Sequence, residues 1–156
     1  MRYWVLKSEP ETFSIEDLEQ AKAKTTPWDG VRNYQARNFI RDKLKKDDLA
    51  FFYHSSCQIP AIVGIVEVVS EACPDATAFD PKSPYYDPKS APNTPRWFKV
   101  DVKFKQKFNS PISLATLRQH PSLNGMILLQ KGNRLSVIPL THKEWDTILK
   151  ISKDTL

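Results

Sequence analysis

Apolar and polar positions change period several times along the chain, and each change marks an element. Tyr3-Trp4-Val5-Leu6 is aromatic and β-branched, which predicts a strand, and it stops at Lys7-Ser8-Glu9-Pro10, where proline ends the ladder. Ile15, Leu18 and Ala21 then recur at helical spacing, behind a Ser14-Ile15-Glu16-Asp17 capping signature, so a short helix is expected through about Lys22. Thr25-Thr26-Pro27 breaks it. Asp29-Gly30 reads as a tight turn and Asn33 as a helix N-cap. Ala36, Phe39, Ile40 and Leu44 share one helical face after it, while Asn33, Arg37 and Arg41 share a polar one. Leu49 to His54 and Ala61 to Ser70 are nearly continuous apolar runs, the pattern of buried strands.

The pattern lapses between Cys73 and Pro95. Six prolines fall there, and Asp-Pro-Lys-Ser occurs twice, at 80–83 and 87–90, around Tyr85 and Tyr86. A proline-stiffened loop carrying aromatics predicts a folded flap at about 73–96, not a linker. From Arg96 to Phe108 alternation returns, with Trp97, Phe98, Val100, Val102, Phe104 and Phe108 set against Lys99, Asp101, Lys103, Lys105 and Lys107. That is a long strand with one wet, basic face. A short helix over 113–120 follows, then an apolar segment over 123–129 that fits helix or strand. Arg134 to Pro139 predicts a closing strand. A capping box at Thr141-His142-Lys143-Glu144 opens a last helix burying Trp145, Ile148 and Leu149. Strands outnumber long helices and do not alternate with them regularly. The expected fold is therefore α+β, with a curved, mainly antiparallel sheet or open barrel in one domain over 1–156, and not a doubly wound sheet.

Composition narrows the function classes. The chain has 156 residues, enough for one domain with a real core. Lysines and arginines total 23 against 18 acids, a formal charge of +5 that permits a nucleic-acid partner without requiring one. Cys57 and Cys73 form no CxxC pair and have no histidines at zinc spacing, so reduced thiols, no metal and no cofactor are expected. No apolar run approaches the roughly 20 residues that span a bilayer, and Met1-Arg2-Tyr3-Trp4 leads straight into structure without a signal-peptide pattern. These features together predict a cytoplasmic protein with no membrane partner. P-loop, nucleophile-elbow and dinucleotide fingerprints are absent from the sequence.

Polar residues collect where predicted elements end. Lys7, Ser8 and Glu9 close the first strand, and His54, Ser55 and Ser56 close the second. Around the central turn, Trp28 to Asn38 packs Trp28, Arg32, Asn33, Tyr34, Gln35, Arg37 and Asn38 into eleven positions at a helix start. Free backbone amides beside asparagine and arginine suit a polar or anionic ligand.

These residues carry a family resemblance. Trp4-Val5-Leu6-Lys7-Ser8-Glu9-Pro10, the Trp28 to Asn38 stretch, Phe52-Tyr53-His54-Ser55, the loop segments Asp80-Pro81, Tyr86-Asp87-Pro88 and Pro95-Arg96-Trp97, and Arg134-Leu135-Ser136-Val137 with Pro139 resemble, in order, the motifs of EVE domains. EVE domains are a branch of the PUA-like superfamily related to YTH domains. The resemblance implies a PUA-like open β-barrel flanked by helices, acting as a non-catalytic reader of a modified cytosine or adenine in DNA or RNA. A reader takes the base from a single strand or flips it from a duplex. On that basis Trp28 and Tyr34 are candidates for stacking, with Trp97 as a further wall. Ser8, Glu9, Asn33, His54, Ser55 and Ser136 are candidates for hydrogen bonds to the base edge. Lys7, Arg32, Arg37, Asn38 and Arg134 are candidates for holding phosphates or ordering the pocket, with Tyr53 and Leu135 packed behind it.

Two rival readings stand beside this one. A ribonuclease could be built from Lys7, Tyr34, Arg37 and His54, provided His54 reaches its substrate as a general base. A protein-interaction module could instead use the proline-rich loop.

Overall fold

In the computed structural model, which describes residues 2–132 and 134–154, a seven-stranded sheet carries the fold. The elements run β1 (Tyr3–Ser8), α1 (Ile15–Gln20), β2 (Thr25–Trp28), α2 (Tyr34–Asp42), β3 (Leu49–His54), β4 (Ala61–Val68), β5 (Cys73–Pro74), β6 (Phe98–Ser113), α3 (Leu114–Arg118), β7 (Val137–Leu140) and α4 (His142–Asp154). The strand order is β2-β6-β4-β3-β1-β7, with β5 paired to β6. Pairing is antiparallel except between β1 and β3, which run parallel. The sheet is thus α+β and mainly antiparallel, and β2 and β7 remain as edges that do not close it into a barrel.

Curvature comes from the long strand β6 and its partner β4. Their register shifts between Ile62 and Gly64 and again between Ile65 and Val66. Such bulges bend a strand and increase its twist. Gly64 sits inside this irregularity because a Cβ there would run into the Gln106 carbonyl. Both faces of the sheet are covered, Phe51 packing on Trp145 of α4 and Phe52 on Trp28 of β2, and Trp4, Leu6, Phe51, Phe52, Ile62, Ile112 and Leu117 are fully buried.

Helix α2 docks its Ala36, Ile40 and Leu44 face as the spacing predicts. Both anticipated capping boxes form, Ser14 with Asp17 and Thr141 with Glu144. Four segments differ from the sequence reading. Thr25 to Trp28 is a strand on the β6 edge rather than a simple break, which Pro27 tolerates because edge strands leave one side unpaired. Helix α1 ends at Gln20, before Lys22. Strand β6 runs on to Ser113, because β4 continues to pair with it as far as Ala61 opposite Ser113. The 123–129 segment is neither α-helix nor strand, since its apolar residues ride on short 3-10 turns at Pro121–Leu123 and Ile127–Leu129. In α4 the inward residues are Trp145, Ile148 and Ile151, with Leu149 only partly buried.

Candidate functional site

Parallel pairing of β1 with β3 brings both C-terminal strand ends to one end of the sheet, with Ser8 opposite His54. Strand β7 starts at the same end, its Val137 opposite Leu6, and the Ser136 carbonyl accepts the Lys7 amide at 2.9 Å. The curled sheet returns the far edge to this place, where Trp28 at the end of β2 packs edge-on against Phe52 of β3, ring centroids 5.4 Å apart. Between the two edges lies a cavity of about 540 Å³. Lys7, Ser8, Glu9, Trp28, Asn33 and Ser136 line it, together with Asp29, Gly30, Arg32 and Tyr85. A smaller hollow of about 330 Å³ shares Lys7, Glu9 and Ser136 and adds Ser55 and Arg134. Nine of the fourteen residues singled out from sequence therefore line two adjoining hollows.

Each lining side chain has its own commitments. Trp28 is 8 % exposed and serves both core and cavity wall. The Ser8 hydroxyl donates to the Phe13 carbonyl at 2.5 Å, which pins the turn after β1. The Asn33 side-chain oxygen accepts the Ala36 amide at 2.9 Å and caps α2. Lys7 makes no side-chain hydrogen bond or ion pair among the described residues, and burial lowers its ammonium pKa. Burial, and next the Asp75 carboxylate, raise the Asp29 pKa.

Arg32 ties the proline-rich loop to this wall. Its guanidinium donates to the Asp75 carboxylate at 3.1 Å, to the Tyr85 carbonyl at 2.6 and 3.1 Å, to Thr77 Oγ1 at 3.2 Å and to the Val31 carbonyl at 2.9 Å. Asp75 is fully buried and also accepts the Gly30 amide at 2.8 Å and both the amide and hydroxyl of Thr77 at 2.9 and 2.6 Å. Burial alone would raise its pKa. The bonds from Thr77, Gly30 and Arg32 more than offset that and hold the carboxyl below the usual range. With Arg32 so occupied, its role here is to order the cavity. Gly30 has φ of +76°, and a Cβ on it would meet the Tyr85 ring at 2.7 Å, so the ring closes directly over glycine.

Four other candidates form a separate surface beside the cavity. Tyr34 is 52 % exposed and stacks on Trp97 at 4.9 Å. The Arg37 guanidinium lies 5.0 Å from the Tyr34 ring, donates to the Arg96 carbonyl at 2.7 Å and to the Asn38 side chain at 2.9 Å. Trp97 is buried beneath, its indole N–H donating to Asp87 at 2.7 Å. His54 belongs to neither place. Its Nε2 accepts the Ile15 amide at 3.1 Å, so the ring is neutral and caps the start of α1, and burial lowers its pKa. Tyr53 and Leu135 are buried, and Leu135 lines the smaller hollow. The sequence reading did not select Asp29, Asp75 or Tyr85. Asp29 was masked by its turn role beside Gly30, and Asp75 carried only the weak signal of an Asp two residues before Thr77, which it caps.

Comparison with known proteins bears on the family and the fold. The family described as EVE domain matches residues 2–151. Thymocyte nuclear protein 1 of Rattus norvegicus is 45 % identical over 168 residues, covering 97 % of this chain and 74 % of that protein. The crystal structure of human THYN1 in complex with 5-methylcytosine-containing DNA superposes with a TM-score of 0.90 at 43 % identity, covering 97 % of this chain and 98 % of that one. The YTH domain of Zygosaccharomyces rouxii MRB1, at 14 % identity and a TM-score of 0.53, shares the fold.

Proposed function

The chain belongs to the EVE domain family, and from that premise we propose that it is a non-catalytic module that reads a modified nucleobase in a nucleic-acid strand. The observation that carries this reading is the cavity between the sheet edges. Its volume of about 540 Å³ falls within the ~300–1,000 Å³ of small-ligand pockets. It has aromatic lining from Trp28, Tyr85 and Phe13 and polar groups on several sides. A base inserted there would lie against Trp28 and meet Asn33, Ser8 and the Lys7 ammonium along its edges. A wrong base would cover these polar groups without pairing them, which is the physical source of selectivity.

The second surface fits the same reading. The exposed Tyr34 ring, backed by Trp97 and flanked by Arg37, offers a stacking platform for a neighbouring nucleotide. Stacking of this kind contributes about 1–3 kcal/mol per base. Lys7 and Arg134 line the adjoining hollow, where their charges would hold a flanking phosphate. The relative crystallised with 5-methylcytosine-containing DNA makes that base the first ligand to try. The ribonuclease reading is disfavoured because the nitrogen of His54 that would act as base already accepts a backbone amide, and because Tyr34 and Arg37 do not line the cavity.

The test is a titration with short single strands differing at one central base: cytosine, 5-methylcytosine, 5-hydroxymethylcytosine, adenine or N6-methyladenine. One modified base is expected to bind at least tenfold more tightly than its unmodified parent. Equal weak binding to all five would mean that net charge acts alone, and strand cleavage lost in His54→Ala would overturn the non-catalytic reading.

A further inference from the structure

Two carboxylates line the cavity, Asp29 and Glu9, and of the two only Asp29 is partly buried. Asp29 is partly buried in the wall, directly after the stacking residue Trp28. No other described residue donates a hydrogen bond to its side chain or pairs with it. The charges around it are otherwise engaged. Arg32 is paired with Asp75, and Lys99 with Asp101 at 2.8 Å. Asp75, the other nearby acid, is saturated by four donors. Lys7 stands across the same cavity, and Glu9, the second lining acid, is exposed and therefore solvated.

The carboxylate takes a hydrogen bond from its own backbone amide, which leaves acceptor capacity facing the cavity that a ligand donor can fill. The poor solvation of Asp29 shows in its raised pKa, caused by burial and then by Asp75. We infer that Asp29 is the specificity determinant of the cavity, accepting a hydrogen bond from the exocyclic amino group of the bound base and so selecting amino bases, cytosine or adenine type, over oxo bases, thymine or uracil type. This inference rests on the reading of the cavity as a nucleobase site. An oxo base would turn a carbonyl oxygen toward the carboxylate, and two acceptors face to face repel. Glu9 cannot supply the same discrimination, because an exposed carboxylate exchanges its partner for water at little cost.

5-Methylcytosine and thymine make a suitable probe pair. Both carry the 5-methyl group, and they differ in the amino or oxo group at C4 and in protonation at N3. Short single strands bearing one or the other at the central position are titrated against the wild-type protein, Asp29→Asn and Asp29→Ala, with thermal melts of each variant as the folding control. The wild type is expected to prefer 5-methylcytosine by about tenfold to a hundredfold, as a charge-assisted hydrogen bond confers. Asp29→Asn offers both a donor and an acceptor, so the preference is expected to collapse to within about threefold, with thymine binding unchanged or tighter. Asp29→Ala is expected to weaken 5-methylcytosine alone. A variant that is merely damaged would lose both ligands in parallel and leave the ratio intact, and an intact ratio in folded Asp29→Asn overturns the inference. A wild type that favours thymine, or binds the two equally while still preferring 5-methylcytosine to cytosine, also overturns it but leaves the nucleobase reading standing. A wild type that distinguishes no base at all removes both.

Discussion

Replacing Asp75 with asparagine should loosen the cavity wall from a distance, because Asp75 does not line the cavity yet holds two of its lining residues. The carboxylate receives Gly30 and Arg32, which line the cavity, and Thr77, which does not, through four hydrogen bonds, and it is fully buried. An asparagine of equal size keeps one acceptor oxygen but turns an NH2 group toward donors and removes the charge opposite Arg32. Breaking a buried ion pair on one side costs about 3–5 kcal/mol. Arg32 is about one-quarter exposed and keeps the carbonyls of Val31 and Tyr85, so the lower end, about 3 kcal/mol, is expected here. For a domain of this size that corresponds to a fall in Tm of about 6–12 °C. Differential scanning calorimetry measures the shift, and titration with a 5-methylcytosine strand measures the cavity. Binding should weaken at temperatures where the variant is still folded, since Gly30 and Arg32 lose their common anchor and Arg32 in turn holds the Tyr85 carbonyl. A Tm within about 2 °C of wild type would refute the account of Asp75 as a buried anchor. A full Tm loss with unchanged affinity would refute its link to the cavity.

The remaining predictions concern other parts of the site. Gly30→Ala places a methyl against the Tyr85 ring at a positive φ, so it should displace the ring and weaken base binding more than it lowers Tm, as titration and melting compared on one sample will show. Trp28→Ala should cost about 3–5 kcal/mol of stability because the ring is core as well as wall, whereas Tyr34→Ala should leave Tm within about 2 °C and reduce affinity for a trinucleotide but not for a single nucleoside. The folded state lowers the pKa of His54, so its contribution to stability is complete above its ordinary value of 6.5 and is lost as pH falls from there through the lowered folded value. The decline in Tm between pH 7 and 5.5 should flatten in His54→Asn. Affinity for single strands should fall with salt, and Arg134→Ala should reduce the slope of log K against log salt by about 0.7 for one lost phosphate contact.

The sequence made the elements legible wherever a period was sustained. Ala36, Ile40 and Leu44 announced α2, and the alternation from Trp97 to Phe108 announced β6. It failed where tertiary pairing overrode local chemistry. Thr25-Thr26-Pro27 looks like a breaker and becomes a strand only because Val102 and Asp101 of β6 lie opposite. Strand ends rich in Lys, Ser and Asn pointed to a site, and parallel pairing of β1 with β3 does bring Lys7, Ser8 and Ser55 together. Residue type alone could not separate cavity from support. His54 and Ser8 look alike as polar strand ends, yet the His54 ring is spent on capping α1. Arg32 and Arg37 look alike as cations, yet one is locked into the loop by five hydrogen bonds while the other lies against an exposed tyrosine. Asp29 and Asp75 were hidden for the opposite reason, since a lone acid in a turn announces nothing until its partners, or their absence, are seen.

The site exists because the sheet curls without closing. Full closure would pair β2 with β7 and fill the seam with backbone hydrogen bonds. Instead the Gly64 bulges bend β4 and β6 enough to bring Trp28 within reach of Lys7, while the two edges remain unpaired. The seam left open is then stiffened from outside by the proline-rich loop, through Asp75, Arg32 and the Tyr85 ring over Gly30. A cavity held in this way is formed before any ligand arrives, so binding need not order its walls, and selectivity can rest on the few polar groups that face inward. That division of labour explains why Arg32 of the signature stretch makes protein contacts, and why Asp29, the half-buried lining acid that no other residue pairs, is the group on which discrimination between bases should depend.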